Sequence, residues 1–222
     1  MRIRITFARQ GDLRFTGNLD LQKLWERGAR RAGLPLAYSQ GFHPQPKISL
    51  ASALPLGFAS RAEVVDMRLA EILPTDTLPA RLNDALPSGL RVLHVESVAD
   101  GAPALQTELE AAEYEVTIDR ADLPTDFETL VEQTLRLETI PRERRGRPYN
   151  LRPLILDLRT VPQKSANQAA SEPKGPHLWM RLAAREAATG RPEEVLAAIG
   201  LGDASFRIER TALVFTWGRI PK

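Results

Sequence analysis

Apolar and polar residues alternate from the start of the chain, with Ile3, Ile5 and Phe7 on one face of an extended segment and Arg2, Arg4 and Thr6 on the other. That period of two predicts a half-buried strand. Gly11-Asp12 interrupts it, and Leu13-Arg14-Phe15 reads as a short continuation before a turn at Gly17. The period then lengthens: Leu21, Leu24, Trp25, Gly28 and Ala32 recur at helical spacing, with Asn18 as the expected N-cap, Asp20 in the first turn and Gly33 as the stop. Trp25 lies on the apolar stripe and is read as core. Lys23, Arg27, Arg30 and Arg31 fall largely on the opposite side.

Further along, Ile48 to Leu56 reads as a strand end with a turn at Pro55 to Gly57, and Val64 to Leu69 as a second alternating strand. Thr75 to Leu86 reads as a helix and Leu90 to Val95 as another strand. The order strand, helix, strand, strand, helix, strand is that of a ferredoxin-like unit. After a stretch of small and polar residues, 99–110, the order recurs. Tyr114 to Ile118 is an expected strand, Thr125 to Leu137 a helix and Leu151 to Val161 a strand region. His177 to Thr189 is an expected helix opened by Gly175-Pro176, and residues 206 to 215 a final strand or closing hairpin. The scheme also requires a strand near Leu137 to Ile140. The expected fold is therefore α+β: two tandem ferredoxin-like (βαββαβ) domains with antiparallel sheets, spanning 1–98 and 111–222 around the 99–110 linker. Two interruptions stand out in the second half, an Arg-rich hairpin or flap at 141–150 and a polar loop at 162–176, expected to be mobile.

Composition bears on this scheme in three ways. A chain of 222 residues, 43% of them hydrophobic, has material for two cores. It has no cysteine, which excludes disulfides, thiolate nucleophiles and cysteine-held zinc or iron–sulfur centres within it. No window approaches the roughly 20 apolar residues that a membrane-spanning helix needs, so a cytoplasmic protein with no membrane partner is expected. The net charge of +2 conceals segregation. Residues 1–61 hold ten Lys/Arg against three Asp/Glu, residues 62–141 five against seventeen, and residues 142–152 five arginines against one glutamate. A basic segment can attract an anionic polymer, and opposite segments can equally neutralise each other.

The segment Tyr38-Ser39-Gln40-Gly41-Phe42-His43-Pro44-Gln45-Pro46-Lys47 concentrates the candidate chemistry of the first half. Pro44 and Pro46 stiffen it and Gly41 admits a positive φ, so His43, Gln45 and Lys47 are expected to project from a rigid loop. Arg27, Arg30, Arg31 and Lys47 are candidate phosphate contacts, and Arg142, Arg144, Arg145 and Arg147 a second basic clamp. Phe42 and Tyr149 lie in these basic contexts and are read as base-stacking candidates, with packing beneath its own loop the alternative for Phe42. His43 could act as an acid or base on a phosphodiester while nearby cations stabilise added charge, but no second base accompanies it. His94 and His177 read as surface or structural. The three histidines have no metal-ligand spacing, and no metal or cofactor is expected.

Several runs together resemble a known family: Gly11 to Phe15, Asn18 to Leu21, Arg27 to Pro35, Tyr38 to Ser49, Leu54 to Gly57 and Ser60 to Asp66, followed later by Arg142 to Arg147 and Asn150 to Ile155. The pattern is similar to that of the uncharacterised prokaryotic radical-SAM-associated family, whose members occur alone or fused behind a radical-SAM domain. Asn18 and the order His43-Pro44-Gln45-Pro46 depart from its typical pattern. The resemblance implies a radical-SAM enzyme as partner. Together with the basic segments it leads to the expectation of a noncatalytic RNA-binding or RNA-modification accessory protein. A metal-independent endoribonuclease using His43 and a protein-interaction adaptor are the alternatives.

Overall fold

The amino-terminal alternation produces β1 (Arg2–Arg9) and, after a 3₁₀ turn over Gly11–Phe15, the helical stripe produces α1 (Asn18–Arg31). There follow β2 (Ile48–Leu50), β3 (Ala59–Arg68), α2 (Leu78–Ala85), β4 (Leu90–Val98) and a single helical turn, α3 (Leu105–Glu108). This computed structural model describes residues 1–161 and 177–221; the polar loop expected at 162–176 lies outside the described residues. The chain has a mixed α+β fold and divides into two compact units, Met1–Leu109 with Phe215–Lys222, and Glu110–Val214.

In the first unit the strands lie in the order β4-β1-β3-β2, every neighbouring pair antiparallel. Ile5 faces Val65 on one side and Val95 on the other, and Ile3 faces Met67. One face of this sheet is covered by α1 and α2, which contact each other. Trp25 is fully buried there and meets Phe7 edge-on at 4.8 Å between ring centroids.

Three sequence expectations change here. The first residue of α1 is Asn18, and the N-cap position is held by Gly17. Leu13-Arg14-Phe15 belongs to the 3₁₀ turn and extends no strand. β1 is buried on both faces, not one. Its second face can be buried because Arg2 and Arg4 both bind Asp66, at 2.6 and 2.9 Å. Arg2 also donates to the carbonyls of Ala102 and Pro103, and Arg4 lies 4.7 Å from the ring centroid of Trp217. A shared carboxylate and an aromatic face replace the solvent that two guanidinium groups otherwise require.

The second unit contains β5 (Leu109–Ile118), α4 (Phe127–Arg136), the two-stranded hairpin β6 (Pro141–Arg144) and β7 (Arg147–Asn150), β8 (Ile155–Val161), β9 (His177–Arg185), β10 (Ala188–Thr189), α5 (Pro192–Ala198) and β11 (Phe206–Phe215). β9 pairs antiparallel with β5 on one side and with β8 and β10 on the other, and β11 lies beside β5. Leaving out β10, the order is β11-β5-β9-β8. β12 (Gly218–Ile220) closes the chain within the segment that groups with the first unit.

The helix expected over His177 to Thr189 is instead β9 and β10. Leu178, Met180 and Leu182 are buried while Trp179 and Arg181 are half-buried, a period of two that occasional basic residues disguised as a helical pattern. With β9 in that place, no strand is needed at Leu137 to Ile140, and residues 206 to 215 form a strand, one of the two outcomes expected there.

Candidate functional site

The loop after α1 is tied down at its base. The Ala37 amide donates to the Arg68 carbonyl and the Lys47 amide to the Ala37 carbonyl, at 2.8 and 2.9 Å. One step further out, the Ser39 amide donates to the Gln45 carbonyl and the Gln45 amide to Ser39 Oγ. Beyond these bonds the tip is free of the body: Gly41, Phe42, His43, Pro44 and Gln45 are all exposed. Gly41 turns the tip with φ +126°, a region closed to most side chains. Phe42 is 102% exposed, so it does not pack beneath its own loop. Lys47 stands exposed at the foot of the loop, beside β2.

The arginines of α1 are more occupied than their spacing suggests. Arg30 donates to the Tyr38 hydroxyl through Nε and Nη2, at 3.1 and 2.8 Å, and pairs with Glu26 at 2.7 Å. The bond to Tyr38 above all, with electrostatic support from Tyr38 and Glu26, raises the guanidinium above its ordinary pKa and keeps it charged. Arg30 thus holds the root of the loop. Arg31 donates to the carbonyl of Ala85, the last residue of α2, and satisfies a helix end. Arg27 is exposed and makes one long bond to the Lys23 carbonyl.

The second basic segment is the β6–β7 hairpin. Arg144 and Arg147 face each other across it, joined by Arg145 and Gly146 with φ of +52° and +75°. Positive φ at both central residues is the mirror-image turn that suits the twist of a hairpin and is usually filled by Asn-Gly or Gly-Gly. The hairpin root is secured by Asn150 Oδ1, which accepts from the amides of Ile140 and Arg152. Arg144 reaches the Thr189 carbonyl at 3.2 Å and Glu194 at 3.3 Å, with its guanidinium 5.1 Å from the Tyr149 ring centroid. Arg144, Arg145 and Arg147 share an open cavity of about 580 Å³ with Arg191.

The structure therefore brings Arg144, Arg145 and Arg147 together and places Tyr149 beneath Arg144. Arg142 bonds the carbonyl of Pro141 and does not line the cavity. His43, Gln45, Lys47 and Phe42 share the exposed loop of the first unit. Arg191, which lines the same cavity, escaped the sequence reading. Nothing in the sequence links it to a hairpin some forty residues earlier. Among the described residues, no group of three or more His, Asp or Glu side chains is placed to hold a metal ion, and no helix is long and apolar enough to cross a membrane.

Residues 2–191 match the model of a family described as an uncharacterized protein conserved in bacteria (DUF2344). No curated protein matches the chain.

Proposed function

The chain belongs to the bacterial family DUF2344, and from its basic segments we propose that it is a noncatalytic RNA-binding or RNA-modification accessory protein acting with a radical-SAM enzyme. The observation that carries the RNA reading is the cavity lined by Arg144, Arg145, Arg147 and Arg191. Four arginines line one open depression, and the ion pair to Glu194 engages Arg144 among them. Such a cluster is stabilised by an anion that offers paired oxygens, and phosphate does so. The exposed Phe42 beside His43 and Lys47 supports the same reading, because an aromatic ring free of the core is a platform for an unpaired base and a nearby ammonium suits its phosphate. His43 is then a contact residue. The radical-SAM partner rests on the sequence resemblance alone.

Each unit is also read as ferredoxin-like. In support, the strand orders β4-β1-β3-β2 and β11-β5-β9-β8 both correspond to fourth, first, third, second, with a helix after the first and after the third strand of each set.

The test is fluorescence anisotropy of a labelled single-stranded RNA against the full chain over a range of salt. Binding should weaken steeply with salt, each phosphate contact adding roughly 0.7 to the slope of log K against log salt. Arg144→Gln/Arg145→Gln should weaken binding and lower that slope by about 1.4. Phe42→Ala should weaken binding while leaving the slope in place. Absence of RNA retention even at low salt overturns the reading.

A further inference from the structure

We infer that the cavity at the β6–β7 hairpin is a site for a phosphate chain, the di- or triphosphate at the 5′ end of an RNA, and that internal backbone phosphates fill it less well. This deepens the RNA reading and rests on it. The first reason is the arrangement of charge. A single strand spreads its charges along its length, and it is best tracked by cations set out along a groove. Here Arg144, Arg145, Arg147 and Arg191 line one open space of about 580 Å³. A terminal polyphosphate gathers several negative charges within a few bonds and matches that arrangement.

The second reason is that the hairpin breaks two local rules within four residues. Arg144 and Arg147 are directly opposed across the strands, where like charges repel. Arg145 holds φ +52° at a turn position better served by Asn or Gly. Rules broken together on a well-formed element mark a functional constraint. A compact anion seated between the two arginines relieves the first departure, and the second is the local cost of placing an arginine at the turn.

The third reason is that the site is built from two segments. Arg191 comes from the entry to α5, and Arg144 is steadied toward it by Glu194 of the same helix, by the Thr189 carbonyl and by the Tyr149 ring.

The experiment compares binding of the full chain to one short single-stranded RNA prepared with a 5′-triphosphate and with a 5′-hydroxyl, with ATP and inorganic tripolyphosphate as competitors. The triphosphorylated RNA should bind at least about tenfold more tightly, as expected for added charge-assisted hydrogen bonds. Both competitors should erase that advantage. Arg145→Asn/Arg191→Gln should remove the difference between the two RNAs, and Arg145→Asn keeps a turn-compatible residue, so a thermal melt separates lost recognition from lost folding. Equal affinity for the two RNAs overturns the inference and leaves the RNA reading intact. Binding of ATP or tripolyphosphate with no retention of either RNA supports a polyphosphate site supplied by free nucleotides and overturns the RNA reading. Failure to bind any of the probes overturns both.

Discussion

Arg145 shows most clearly how one residue can be kept against its local preference. An L-residue with a Cβ in the left-handed region is destabilised by roughly 1–2 kcal/mol relative to glycine, and Arg145 sits there at φ +52° at the tip of an otherwise regular hairpin. Arg145→Asn should therefore raise stability by about 1 kcal/mol, seen as a melting temperature higher by roughly 2–4 °C, while anion binding falls. A fall in both quantities would mean that the side chain stabilises the turn through contacts and that its conformation is no sign of function. The arginine cluster itself was legible in the sequence, since Arg142, Arg144, Arg145 and Arg147 are near neighbours. Its division was not. Arg142 shares a face of β6 with Arg144, yet it lies two residues further from the turn and bonds the carbonyl of Pro141, while the other three line the cavity. In the same way, Arg30 and Arg31 looked like free cations on a helix face and are instead engaged by Tyr38, Glu26 and Ala85.

Among the elements, β1 departs furthest from its pattern. Its alternation was read as one wet and one dry face, yet all eight of its residues are buried. Asp66 on β3 binds both Arg2 and Arg4 and so ties the two central strands of the first unit through side chains as well as backbone. Removing it would leave two buried guanidinium groups without their shared carboxylate. Asp66→Ala should destabilise the first unit by about 3–5 kcal/mol, measured as a shift of the urea midpoint, and Asp66→Asn by less. A change under 1 kcal/mol would show that the carbonyls of Ala102 and Pro103 suffice for Arg2. The converse error concerned β9, where Leu178, Met180 and Leu182 alternate cleanly but Gly175-Pro176 upstream and the interspersed arginines suggested a helix. A short apolar run with mixed neighbours does not separate the two periods until its partners are known, and β5 and β8 supply them.

Across the whole molecule, each unit arranges four strands in the same spatial order although no internal repeat is visible in the sequence. Among the described residues, the Phe42 loop in the first unit and the arginine hairpin in the second are exposed and carry basic side chains. If the chain serves a radical-SAM enzyme by presenting RNA, a tagged full-length chain should recover that enzyme from cell extract, and nuclease treatment should reduce the recovery. Recovery unaffected by nuclease would favour a direct protein adaptor, and no recovery would remove the partner from the proposal. The α+β character, the helices α1, α2 and α4, the loop around Gly41 and the concentration of positive charge in two segments were legible along the chain. These are set by local periodicity, by proline and glycine, and by charge counted along the chain. Only the tertiary structure decided that β1 is buried on both faces, that residues 177–185 pair as a strand, that Phe42 stands in solvent and that Arg191 joins the hairpin arginines. Each of those outcomes depends on which distant residues supply a counter-charge, a hydrogen-bonding edge or an opposing wall, and these are contacts between positions that sequence spacing does not connect.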